Sequence, residues 1–155
     1  MTHCLLSNVK DGIWPGNIHA GWLDEGLAHA YEIALFGGVR HYCYVESDTL
    51  LDFKFGTWEQ SVRLAVERGE APSFLSVSGR NTLELPPEEH PFAWSYVDFL
   101  LREHPDQLGP LALALKARRP LKDGLKETLA LSPFEFEERW KDFVRATYAL
   151  EKKRR

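Results

Sequence analysis

The sequence predicts a mainly α-helical single domain, with room for one short hairpin. Three observations lead there. Apolar residues recur at helical spacing, most clearly at Leu23, Leu27, Tyr31 and Leu35. Glycine and proline cluster between such segments, with Gly26 and one Gly-Pro pair inside them. Finally, 155 residues with five tryptophans and nine phenylalanines supply ample area for one core and too little chain for two.

Taken in order, residues 2–8 read as a helical turn, and "VKDGIWPGNIHAG" as a loop broken by Gly12, Pro15, Gly16 and Gly21. Residues 22–36 form the first long helix. Ala28, Ala30 and Ala34 permit close packing along it, and Gly37 with Gly38 ends it. "VRHYCYVES", residues 39–47, reads as a short strand or an ordered loop. Thr57 caps the next helix, on which Trp58, Val62 and Ala65 share a face. A loop with Pro72, Gly79, Pro86 and Pro87 leads to the strongly apolar helix "PFAWSYVDFLLREH". "DQLGPLALALKARR" follows, helical apart from its early Gly-Pro. In the last element Ser132 is the N-cap, Pro133 holds the first helical position and Glu135 completes a capping box. Phe136, Trp140, Phe143, Val144 and Tyr148 then line one face.

Composition excludes several classes of partner. A formal charge of −4 gives no electrostatic reason to bind nucleic acid or an anionic membrane surface. Only "EKKRR", residues 151–155, is basic, and lysine and arginine suit the negative end of a helix. Two cysteines, Cys4 and Cys43, build no disulfide framework. The sequence shows neither a signal peptide nor an apolar run near the ~20 residues that spanning requires. No G-x-S-x-G elbow, reactive-cysteine context or phosphate-binding glycine motif is present.

The chemistry concentrates at the start of the first long helix, where Asp24 and Glu25 stand side by side behind Trp22 and Leu23. Negative charge suits a helix N-terminus, and Asp24 fits that role. Glu25 has a further property: His29 lies four residues on, so both side chains point the same way. His3 and His19 precede the helix, and imidazole with carboxylate is the donor set of zinc. Catalytic zinc typically takes two histidines and a glutamate and keeps one position open for water.

"WLDEGLAHAYE" resembles the "WLxEGxAxY" helix of gluzincin zinc metallopeptidases, in particular the peptidase MA-like family related to aminopeptidase N. In that family one helix carries HExxH and the following helix supplies a glutamate as third zinc ligand. The resemblance implies that Glu25 is that ligand. Twenty-one residues lie between His3 and Glu25, the spacing expected from the last histidine of HExxH. "MTH" then reads as the tail of "HE-MTH", with Met1 an internal methionine of a longer protein. Residues 91–144 resemble the helical subdomain that follows in the same family, "LSPFEFEERW" matching its closing segment.

The resemblance implies a helical C-terminal subdomain of a zincin-like metallopeptidase, holding zinc and cleaving peptide or protein substrates in the intact enzyme. Residues 1–150 form one helical domain, in which 1–38 hold half of the metal site and 57–150 a helical bundle. Asp24 orients a ligand, and His29 and His19 are auxiliary candidates. The chain departs from the family at two points. The first histidine and the water-activating glutamate of HExxH are absent, so the chain by itself is expected to be inactive. The family's oxyanion-stabilising tyrosine falls at Phe92, which leaves Tyr96, one turn on, as the only candidate for that role. Two further readings stand beside the peptidase: a non-catalytic helical scaffold that binds a protein partner, and a metal-binding module built from His3, Glu25 and His19 or His29. Without the preceding helix and sheet, the apolar face of residues 22–36 is expected to lack its cover and to drive homodimerisation or a rearrangement of the N-terminus.

Overall fold

The computed structural model describes residues 2–39 and 57–150, and among them the regular structure is helical, with no β-strand. Eight α-helices follow one another: α1 (Thr2–Asn8), α2 (Gly21–Phe36), α3 (Thr57–Arg68), α4 (Phe74–Ser78), α5 (His90–Glu103), α6 (Pro105–Lys116), α7 (Leu121–Leu129) and α8 (Pro133–Thr147). Single 3-10 turns occur at Pro15–Asn17, Thr82–Glu84 and Pro87–Glu89. The strand or hairpin expected in residues 39–47 falls almost wholly outside the described residues. No described helix is long and apolar enough to cross a membrane.

The helix ends follow the local chemistry. Gly37 adopts φ 71°, and its N–H closes α2 on the Ile33 carbonyl at 2.9 Å. At α8, Ser132 Oγ accepts from the Glu135 N–H at 3.2 Å while Glu135 Oε2 accepts from the Ser132 N–H at 2.7 Å. Both orphaned donors are thereby satisfied.

The centre of the molecule is α5, against which α2 packs more extensively than any other pair of elements. The contact is close because Gly26 faces α5: a Cβ there would stand 2.5 Å from the Ala93 carbonyl oxygen and 2.6 Å from Val97 Cγ2. Below this crossing lies an aromatic core of Trp22, Phe74, Tyr96, Phe99, Phe136 and Trp140. Trp22 meets Phe74 edge to face at 5.3 Å, and Tyr96 meets Trp140 at 4.5 Å. Burial of each such ring contributes roughly 2–3 kcal/mol. Ser95 secures the far side, accepting from Trp140 Nε1 at 2.9 Å and sharing a hydrogen with the Tyr148 hydroxyl at 3.1 Å.

Several elements differ from expectation. The stretch between α3 and α5 is not a plain loop: Ser73 Oγ accepts from the Ser76 N–H at 3.2 Å and starts α4, whose Phe74 enters the core. α6 runs through Gly109 and Pro110 without a break. On α3 the buried residues are Trp58, Val62 and Val66, while Ala65 is half-buried. The apolar row of α2 is only half covered: Leu23 and Leu27 are buried, whereas Tyr31 and Leu35 are 54% and 68% exposed. Among the described residues, the first half of that face is covered and the second half is not.

Besides its contact with α2, α1 is tied to the fold by a buried cation. Lys116, 1% exposed at the end of α6, donates to the carbonyls of Leu6 (2.7 Å), Ser7 (3.0 Å) and Val9. Those are carbonyls at the C-terminal end of α1, where a helix leaves acceptors unfilled and its dipole favours a positive charge.

Candidate metal centre

Asp24 and Glu25 are both buried, at 0% and 1% exposure, so neither is a solvated helix-end charge. Asp24 makes no cap to the α2 backbone. Its Oδ2 instead accepts from three side chains: Trp14 Nε1 at 2.6 Å, His3 Nδ1 at 2.8 Å and Thr82 Oγ1 at 3.1 Å. Gly21 allows this, because a Cβ there would meet the backbone of Asn81 and Thr82 at 2.5 Å. The 3-10 turn that carries Thr82 can therefore lie directly on the start of α2.

His3 lies between the two carboxylates. Its Nδ1 donates to Asp24, and its Nε2 stands 3.8 Å from Glu25 Oε1. A carboxylate only accepts, so the Asp24 contact assigns a proton to Nδ1, and Nε2 is the nitrogen that faces Glu25. Two ligand atoms on one tetrahedral zinc stand about 3.3 Å apart for bonds of about 2.0 Å. A separation of 3.8 Å needs only a small inward movement, and the pair fits such an ion.

The other oxygen of Glu25 faces two further histidines. Glu25 Oε2 is 3.5 Å from His29 Nε2 and 3.6 Å from His90 Nδ1, and those nitrogens are 2.7 Å apart. His29 reaches the site because it follows Glu25 by one turn; His90 does so because it opens α5 beside the Gly26 crossing. All three side chains are at most 1% exposed. Burial, and next the adjacent His29, push the His90 imidazole down to about 3, against a Leu85 carbonyl contact that acts in the opposite direction. His90 is therefore neutral at ordinary pH. Its Nε2 lies 3.2 Å from the Leu85 carbonyl, which only accepts, so the ring proton sits on Nε2 and Nδ1 carries the lone pair.

The remaining candidates lie elsewhere. His19 is exposed, with its ring on the Gly79 carbonyl at 3.0 Å and its backbone N–H on Asn81 Oδ1, and it joins neither group of metal-capable side chains. It does not supply the missing histidine. Tyr96 is fully buried in the aromatic core and donates to the Pro72 carbonyl at 3.4 Å, with burial holding its hydroxyl well above the ordinary tyrosine range. Phe92 packs on Trp140. The residue that α5 brings to the site is His90, which reads in the sequence only as a histidine before a proline. Cys4 is exposed. Cys43 and His41 lie outside the described residues.

Trp14, Thr82 and His90 are the site residues that pattern reading missed. A usable signal existed for His90 alone: Gly26 inside an otherwise apolar helix marks a close crossing.

Comparison with known proteins adds no assignment: no family model, no curated protein and no solved structure matches the chain.

Proposed function

We propose that this chain carries a zinc-binding half-site of the gluzincin metallopeptidase type, with His3 and Glu25 as ligands and Asp24 as the group that orients His3. One observation carries the reading. Two consecutive carboxylates engage opposite nitrogens of the same imidazole, one at hydrogen-bond distance and the other at near-ligand distance. A carboxylate behind a ligating histidine fixes its tautomer and raises its basicity. Asp24 has that position, and its two further donors, Trp14 and Thr82, hold it still.

When bound in such a site, zinc polarises a water molecule and the carbonyl to be cleaved. The chain's own residues have separable parts. Asp24 keeps the proton on Nδ1. His3, whose side chain is 25% exposed, presents Nε2 toward Glu25. Glu25, removed from water, supplies the anionic ligand. Peptide hydrolysis asks in addition for a second histidine and a glutamate base of HExxH, a motif that residues 1–155 do not contain, so the proposal concerns the half-site.

Zinc titration against a chelating indicator tests the half-site. His3→Ala and Asp24→Asn should both weaken binding, the latter by about 10–100-fold. Affinity unchanged in both variants would refute the assignment. A scaffold that binds a protein partner is the second reading, favoured because Phe92 and Tyr96 both pack into the aromatic core and leave no α5 tyrosine at the site. The transcript separates the two: in-frame His-Glu codons directly before Met1 support the peptidase, and unrelated codons there support the scaffold.

A further inference from the structure

We infer that Glu25, His29 and His90 form a second position for a first-row divalent cation, so that Glu25 bridges two ions, one on each carboxylate oxygen. The position itself does not require the His3 half-site; only the bridging rests on that reading.

The two groups of metal-capable side chains share Glu25 alone, and they use different oxygens of it. In the second group the three ligand atoms are separated by 2.7, 3.5 and 3.6 Å. Those lengths leave a point about 1.9 Å from all three atoms, close to a zinc–imidazole bond of about 2.0 Å. An ion slightly above that plane stands about 2.0 Å from all three atoms, and the two imidazoles would part by about 0.6 Å to reach the spacing of tetrahedral ligands, about 3.3 Å.

The surroundings are those of ligating histidines. Such a histidine usually donates its other ring N–H to a carbonyl or a carboxylate. His90 faces the Leu85 carbonyl through Nε2 at 3.2 Å, and His29 faces Glu32 Oε2 through Nδ1 at 3.6 Å. Without metal, the His29 Nε2 proton lies between the two imidazoles. For His29 to offer Nε2 to an ion, the proton on that nitrogen would have to move to Nδ1, the nitrogen that faces Glu32 Oε2. Trp58, edge-on to His29 at 5.1 Å, walls the position with apolar surface. Two imidazoles with one carboxylate select zinc, cobalt or iron over magnesium and calcium, which prefer all-oxygen sites.

Cobalt(II) titration of the full chain, followed by its visible absorption, tests this beside a magnesium control. Wild type should take up two cobalt ions per chain, and His90→Gln and His29→Gln should each take up one fewer. His3→Ala should lose the other ion. Stoichiometry and spectrum unchanged in both His90→Gln and His29→Gln would overturn the second position while leaving the His3 half-site intact. Loss of all binding in His90→Gln, with His3→Ala as wild type, would support the position and refute the half-site. Should these variants fold poorly by circular dichroism, long-range proton–nitrogen correlation spectra of wild type decide instead. Zinc should shift His29 Nε2 and His90 Nδ1; a response of the His3 ring alone overturns the inference.

Discussion

Replacing Lys116 by methionine should disable the His3 side of the metal centre from a residue far along the chain. Its ammonium is buried, donates to three carbonyls at the end of α1 and lies 3.3 Å from Asp11 Oδ1. α1 has seven residues, too few to hold a helix in water without tertiary support. Hydrogen bonds to a charged group contribute about 1.5–3 kcal/mol each, and desolvating the ammonium cancels several kcal/mol of the total. The docking of α1 should therefore weaken by about 2–4 kcal/mol. Once the undocked form dominates, each further 1.4 kcal/mol or so lowers the apparent zinc affinity tenfold. Lys116→Met should thus bind zinc at the His3 half about 10–100-fold more weakly, and the amides of residues 2–8 should lose protection in hydrogen exchange. α5 should keep its protection, because its core contacts do not involve Lys116. Wild-type affinity together with wild-type protection of α1 would refute this account of how His3 is held.

Three further outcomes are expected. Gly26→Ala adds a methyl group 2.5 Å from the Ala93 carbonyl, so the overpacking should exceed any gain in helix propensity and cost about 2–3 kcal/mol in urea denaturation. The His90 pKa of about 3 lies below its unfolded value of 6.5, so between these pH values only the unfolded chain takes the proton. This contribution to stability is constant above pH 6.5 and falls by about 1.4 kcal/mol per unit below it, on the order of 5 kcal/mol in all; His90→Asn should flatten the slope in EDTA-containing buffer. Tyr96→Phe removes one hydrogen bond of 3.4 Å, so it should cost about 1 kcal/mol or less and leave metal binding unchanged. A larger loss of metal would return Tyr96 to the site.

The helical class and the clearest boundaries were legible because they are local. The Ser132–Glu135 capping box, the Gly37 stop and the buried row from Phe136 to Tyr148 depend on residues within one or two turns of each other. α4 was harder to read, since it is five residues long and carries no periodic pattern to detect. The unbroken run of α6 through Pro110 shows tertiary packing outweighing a local breaker. At the metal centre, Glu25 and His29 were visible as an i, i+4 pair, and Asp24 as their neighbour. What Asp24 does was not visible, because Trp14 and Thr82 meet it only after two loops close over α2. His90 was hidden for the same reason: sixty-one positions separate it from His29, and only the crossing of α2 and α5 at Gly26 brings them together.

Equilibrium dialysis of the chain against micromolar zinc, beside a Glu25→Gln control, with metal then counted by elemental mass spectrometry, bears most directly on the central claim. Glu25 lies between both groups of metal-capable side chains. The expected result is zinc at one equivalent or more on the wild-type chain and almost none on the control. Equal zinc on both proteins, or none on either, would contradict a metal centre built on Glu25.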